Sequence, residues 1–159
     1  MTELLVVNTG PLITLERMGA LDLPARLPFS FICPDEVRAE LDDGHRAGHL
    51  PITPDWLRTQ SLTTPVSPLG VSALDRGEAA VIQLALELKI GWVCIDEWKG
   101  RRAALAAGLK VTGVLGLLGM AKKKGIIGTI SPFIDKAVAA GIRYDSDLLD
   151  RVLRAAGEL

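Results

Sequence analysis

The stretch Leu4-Leu5-Val6-Val7-Asn8-Thr9-Gly10-Pro11-Leu12-Ile13 constrains the fold more than any other part of the chain. Four consecutive apolar residues, two of them β-branched, suit a strand covered on both faces, and such strands belong to parallel sheets flanked by helices. Pro11, whose ring presets φ near the helical value, suits the first position of a helix. A strand running straight into a helix is expected, with Asn8 at the strand's carboxyl end. In open parallel sheets that edge is where ligands bind, so a polar side chain there is a candidate ligand for a metal or a phosphate.

The rest of the chain repeats this alternation. Residues 12–18 continue as a short helix, 29–33 form a second strand, and Pro34 opens a helix through Leu41 that Asp42-Asp43-Gly44 ends. Residues 45–72 carry Pro51, Pro54, Pro65 and Pro68; only 56–62 suit a short edge strand, and the segment is expected to act as a flap. From Asp75, the apolar spacing of Val81, Leu84, Ala85 and Leu88 marks the clearest helix, ending near Lys89. Residues 92–95 are a buried strand with Asp96 at its end, 97–107 a helix stopped by Gly108, and 110–112 a short strand. Helices follow at 113–124, 131–140 and 146–155, the last capped by Asp145 or Ser146 and striped by Leu148, Leu149, Val152 and Leu153. The expected fold is a three-layer α/β/α sandwich with a parallel sheet of four to five strands, a single domain over residues 1–159.

Composition narrows the function. The chain is 48% hydrophobic and 23% charged, which is globular and excludes a low-complexity chain. A net charge of −1 offers no global attraction to nucleic acid, so such binding must rest on a local basic patch or on metal ions. Cys33 and Cys94 end separate apolar runs without metal-finger spacing and are expected as buried free thiols. With no signal peptide and no apolar run near the ~20 residues that span a bilayer, a cytoplasmic protein without membrane contact is expected.

The acidic or amide residues at strand ends and helix starts are Asn8, Glu36, Glu40, Asp75, Glu78, Asp96 and Glu97. Convergence of several on one sheet edge would suit a hard divalent cation and phosphodiester hydrolysis. Helix capping competes with that function: Asp75-Arg76-Gly77-Glu78 fits a capping box, and Asp96 fits a cap for the helix after it. Glu40 shares its helix side with Val37 and Leu41, which makes it the inward member of the Glu36/Glu40 pair. No Walker loop, nucleophile elbow or paired cysteine motif is present, and Thr9-Gly10-Pro11 is too short for the phosphate loop of a flavodoxin-like binder.

These residues carry a family resemblance. Val7-Asn8-Thr9-Gly10-Pro11-Leu12-Ile13, Pro34-Asp35-Glu36-Val37-Arg38-Ala39-Glu40-Leu41, Gly77-Glu78-Ala79, Ile95-Asp96 and Leu109-Lys110-Val111-Thr112-Gly113 resemble the PIN domain superfamily, and more narrowly the PIN-like predicted nucleic-acid-binding proteins related to VapC toxins. The resemblance runs over essentially the whole chain and includes Ala121-Lys122-Lys123-Lys124-Gly125-Ile126-Ile127. It implies that Asn8, Glu40, Glu78 and Asp96 are the catalytic and metal-binding positions of a Mg2+- or Mn2+-dependent endoribonuclease acting on RNA. It also implies an antitoxin protein partner and a homodimer. The chain departs from the family at Asn8, where an aspartate is usual, and at Gly10, where a serine is usual. A neutral Asn8 leaves open a catalytically degenerate module that binds RNA or a protein partner.

Basic, histidine and glycine clusters add to this pattern. Lys99, Arg101 and Arg102 open the helix after Asp96, against the helix-dipole preference, and beside an acidic site would hold an RNA phosphate. His45 and His49 follow Asp42 and Asp43, where a metal site is conceivable, but Gly44 and Gly48 argue against a rigid helix there. Gly113, Gly116 and Gly119 lack the spacing of a dinucleotide fingerprint and suit close helix packing.

Overall fold

The computed structural model describes residues 2–67 and 74–159. In chain order the elements are β1 (Glu3–Val7), α1 (Thr9–Arg17), a 3-10 turn (Leu23–Arg26), β2 (Phe29–Pro34), α2 (Asp35–Arg46), β3 (Leu57–Gln60), α3 (Arg76–Glu87), β4 (Trp92–Cys94), α4 (Trp98–Ala106), β5 (Lys110–Thr112), α5 (Val114–Lys123), α6 (Ser131–Ala139) and α7 (Ser146–Ala155). All pairings are parallel and the sheet order is β3-β2-β1-β4-β5. The fold is α/β with the five-stranded sheet expected from the alternation. Helix α3 packs against α2 and α4, while α1 packs against α2, α5 and α6.

Strand order reverses at β1 and β4. The chain leaves β1 toward β2 and β3, then crosses back to lay β4 on the other flank of β1. Connections after β1 and β4 therefore diverge, and a crevice opens above their carboxyl ends. Register puts Val7 opposite Cys94, and the Asn8 backbone N–H donates to the Cys94 carbonyl at 3.0 Å. Asn8 and Asp96 thus emerge side by side.

Cover deepens along the strands toward that edge. In β1, Leu5, Val6 and Val7 are fully buried, but Leu4 is 41% exposed, so the strand is enclosed on both faces only from Leu5 onward. Phe31, Met18, Leu84, Ile95 and Leu117 are also inaccessible to solvent. Cys33 and Cys94 are buried free thiols, and burial pushes both pKa values up.

Three boundaries differ from expectation. Helix α1 starts at Thr9, which places Pro11 third in the helix, where its missing N–H would still have had no partner. Helix α2 runs through Asp42, Asp43 and Gly44 to Arg46. Its stop lies at Gly48, whose φ of +101 lets the Gly48 and His49 N–H groups close back on the His45 and Gly44 carbonyls at 3.0 Å each. Gly44 is carried inside the helix at a cost of about 1 kcal/mol. In the segment expected as a flap, residues 57–60 pair with β2 as an edge strand. The Thr63 and Thr64 N–H groups are tied to Glu87 at 2.9 and 3.3 Å, so this part is pinned to α3; residues 68–73 lie outside the described ones.

The carboxyl-terminal helix is held by its own tail. Asp145 caps α7 by accepting from the Leu148 N–H at 3.2 Å, and Leu149, Val152 and Leu153 pack against the core as half-buried residues. Beyond α7, the Glu158 carboxylate accepts from the N–H groups of Ile130 and Ser131 at the start of α6, and from Lys122 at 2.9 Å. These donors hold its pKa below the usual range, the Ile130 N–H most of all.

Among the described residues Lys89, with φ of 56°, is the one non-glycine in the left-handed region; it terminates α3 as the Ile90 N–H reaches back to the Ala85 carbonyl at 2.8 Å. Lys89→Gly is expected to raise the free energy of unfolding by about 1 kcal/mol, read from urea denaturation midpoints. A loss of stability would show that the Lys89 side chain contributes more than its backbone strain removes.

Candidate functional site

A cavity of about 460 Å3 opens above β1 and β4, lined by Asn8, Thr9, Gly10, Pro11, Thr14, Glu40, Asp75, Glu78, Asp96 and Glu97. Six of the seven acidic or amide residues singled out in the sequence meet here; Glu36 does not line it. Among the described residues, the buried polar or charged side chains are Asn8, Thr9, Thr14 and Glu78, and all four line this one cavity. Burying a polar group without a partner costs free energy, so their concentration at one place needs a cause other than packing.

Among the described residues, Asn8 and Glu78 each keep one buried side-chain oxygen without a hydrogen bond. Asn8 occupies the N-cap position of α1, yet its side chain makes no capping bond, and the buried Oδ1 has no partner. Asp75 caps α3 by accepting from the Glu78 N–H at 2.8 Å. Glu78 returns no such bond among the described residues, and its buried Oε2 is unpartnered. Capping therefore accounts for Asp75 and leaves Glu78 unexplained. Asp96 does not cap its own helix: Glu97 is the N-cap of α4, while Asp96 Oδ1 accepts at 3.0 Å from the Val114 N–H that opens α5.

Three glycines press against three carboxylates. A methyl group on Gly77 would collide with Glu40 Oε1, one on Gly100 with Glu78 Oε2, and one on Gly113 with Asp96 Oδ1. Each lies at or inside the first turn of α3, α4 or α5, so helix starts shape the walls of the cavity.

Crowded like charges in partial burial resist ionisation. Glu78, 4% exposed, has its pKa pushed up to about 8, chiefly by burial and then by Asp75, Glu97 and Glu40. Glu40 stands partly open to solvent and is raised by burial and by the Asp75 charge; the Thr9 hydroxyl offsets part of this without reaching hydrogen-bond geometry. Asp96 is solvent-exposed as a residue, but its carboxyl group is enclosed enough that burial raises its pKa, opposed by the Val114 N–H and the Arg101 charge.

The basic cluster divides. Arg101 donates to the Ile95 carbonyl at 2.8 Å and lies against Asp96, so it braces the strand end. Lys99 and Arg102 are exposed, with the Arg102 guanidinium 5.7 Å from the Trp98 ring centroid. Sequence reasoning missed Thr9 and Thr14, whose burial depends on long-range packing, and Tyr144. The Tyr144 hydroxyl is buried without a partner, its pKa raised to about 12 by burial and by the Asp96 charge. His45 Nδ1 is engaged with the His49 carbonyl at 3.1 Å, and neither histidine lines the acidic cavity.

The donor set fits a hard cation. It is all oxygen, and the orphaned oxygens of Asn8, Thr9 and Glu78 lack what a cation or its waters would supply. Among the described residues no three His, Cys, Asp or Glu side chains form a closed ligand cluster. Magnesium does not need one, since it is commonly held by one or two carboxylates plus water and substrate phosphate.

A parallel α/β/α fold with an acidic, oxygen-lined cavity at its strand-order reversal defines a class of domain suited to cation-assisted work on phosphodiesters. The chain belongs to the PIN domain family, whose family model matches residues 4–158. The family is nuclease-like, binds nucleic acids and generally uses divalent metal ions. No curated protein and no solved structure matches the chain. No helix among the described residues is long and apolar enough to cross a membrane.

In a chelator, stability is expected to fall as pH rises from about 4.5 to about 8, because over that window the unfolded chain has released the proton that folded Glu78 keeps. Glu40 and Asp96 act in the same direction, whereas Glu87 and Glu158, with lowered pKa values, lose stability only as pH falls further. Melting temperatures across the window check this, and Glu78→Gln should flatten the slope. A flat wild-type profile would mean that Glu78 is not held neutral.

Proposed function

We propose that the chain is a Mg2+- or Mn2+-dependent endoribonuclease of the VapC toxin type, hydrolysing RNA phosphodiester bonds. One observation carries this: among the described residues, the buried residues Asn8, Thr9, Thr14 and Glu78 all line one acidic cavity, where Asn8 Oδ1, Thr9 Oγ1 and Glu78 Oε2 are left unpartnered. Glu40, Glu78 and Asp96 would hold the cation, with Asn8 as a neutral oxygen ligand. When bound, the cation supplies a water of lowered pKa and positive charge for the phosphoryl oxygens. Glu78 must give up its proton as the site is loaded, so affinity for the cation rises with pH. Arg101 holds Asp96 and the end of β4 in place, while Lys99 and Arg102 stand free to take RNA phosphates. An antitoxin partner, a homodimer and a cytoplasmic location belong to the same proposal.

The second reading rests on Asn8. Without the usual carboxylate the cavity loses one negative ligand, which suits a module that binds RNA or a protein without cutting. Millimolar magnesium or manganese should raise the melting temperature by mass action, about 2.7 kcal/mol of stabilisation at a hundredfold excess over Kd. Asp96→Asn, which can still accept from the Val114 N–H, should remove most of that rise and lower RNA cleavage at least about tenfold. Asn8→Asp should tighten metal binding about tenfold and speed cleavage. If neither form cuts single-stranded RNA with manganese present, the nuclease is ruled out; RNA or protein binding that persists would then establish the second reading.

A further inference from the structure

The chain has seven aromatic residues, three Phe, three Trp and one Tyr, and six of them are buried or half-buried. Trp98 is 67% exposed. It opens α4 immediately after Glu97, which lines the acidic cavity, so its Cα lies about 3.8 Å from that of a lining residue. Arg102, one turn further along, sets its guanidinium 5.7 Å from the ring centroid, and exposed Lys99 flanks the pair. A large flat ring held out in water, backed by one cation and flanked by another, presents a face to a planar partner and charge to the phosphates beside it.

We infer that Trp98, backed by Arg102, is a stacking platform for an unpaired nucleobase next to the phosphodiester that enters the acidic cavity. The inference rests on the nuclease reading for the identity of the neighbouring site, but not for the stacking itself. A base inside a duplex already has both faces covered, so the platform takes only a base free to leave its neighbours. Leu105, 60% exposed and two turns along the same helix face, raises the rival occupant, a protein surface. RNA is favoured because the cations sit at the Trp98 end of α4, beside the cavity, while Leu105 lies about 10 Å further along the helix.

The test is titration of the magnesium-loaded protein with a short oligoadenylate, followed by tryptophan fluorescence and by anisotropy of a labelled strand. Wild type should show quenching; Trp98→Leu should lose it and bind about tenfold more weakly, and Trp98→Phe should bind within about threefold of wild type. Unchanged affinity in Trp98→Leu overturns the inference, as does absence of binding by wild type. A change of oligomeric state in Trp98→Leu at constant RNA affinity would assign the face to a protein instead. Cleavage measured on the same variants separates the platform from the chemistry: quenching without cutting would sink the nuclease and leave the platform standing.

Discussion

Parallel pairing of β1 with β4 is the constraint on which the rest of the molecule depends. The hydrogen bond from Asn8 N–H to the Cys94 carbonyl, continuing the Val7–Cys94 register, brings two strand ends separated by most of the chain into contact. Because strand order reverses there, the helices that follow β1 and β4 turn to different sides and leave an open crevice. Helices α2 and α3, packed against each other beside it, then deliver Glu40 and Glu78 from the flank.

Assembly of that crevice is energetically costly, and the cost is visible in the pKa shifts. Three carboxylates from three different helices or strand ends are raised by burial, and two of them, Glu40 and Glu78, by one another's neighbours as well. The fold compensates at a distance, through the enclosed strands of the sheet and through the Glu158 clasp that ties the chain's end to α5 and α6. Among the described residues Arg101 is the cation placed against the acidic set, and it offsets the raised pKa values of Asp96 and of the buried Cys94 thiol but not those of Glu40 or Glu78.

Much of this was legible in the amino-acid sequence because it is local. Apolar runs and helical spacing identify the strands and helices, and strand-end polar residues identify the edge where Asn8, Glu40, Glu78 and Asp96 gather. What was not legible is non-local. The stop of α2 moved to Gly48 because a helix can carry Gly44 in its interior, and Asp96 caps α5 because β5 lies beside β4, not because of anything adjacent in the chain. Nothing in the spacing distinguishes an Asn8 that caps α1 from one that turns its oxygen into a cavity. Trp98 gave no signal either, since exposure is a property of the packed molecule.

The glycines that abut the carboxylates carry a consequence for how this protein can change. Within a helix, as at Gly77 and Gly100, glycine gives up as much as about 1 kcal/mol relative to alanine, and replacing it is the ordinary route to a more heat-resistant chain; at an N-cap, as at Gly113, it is preferred over alanine. At all three, replacement disturbs the site, because the first added carbon meets a carboxylate oxygen and Glu40, Glu78 or Asp96 has to swing aside to admit it. A descendant that accepted a side chain at any of the three would therefore have rearranged its acidic cavity.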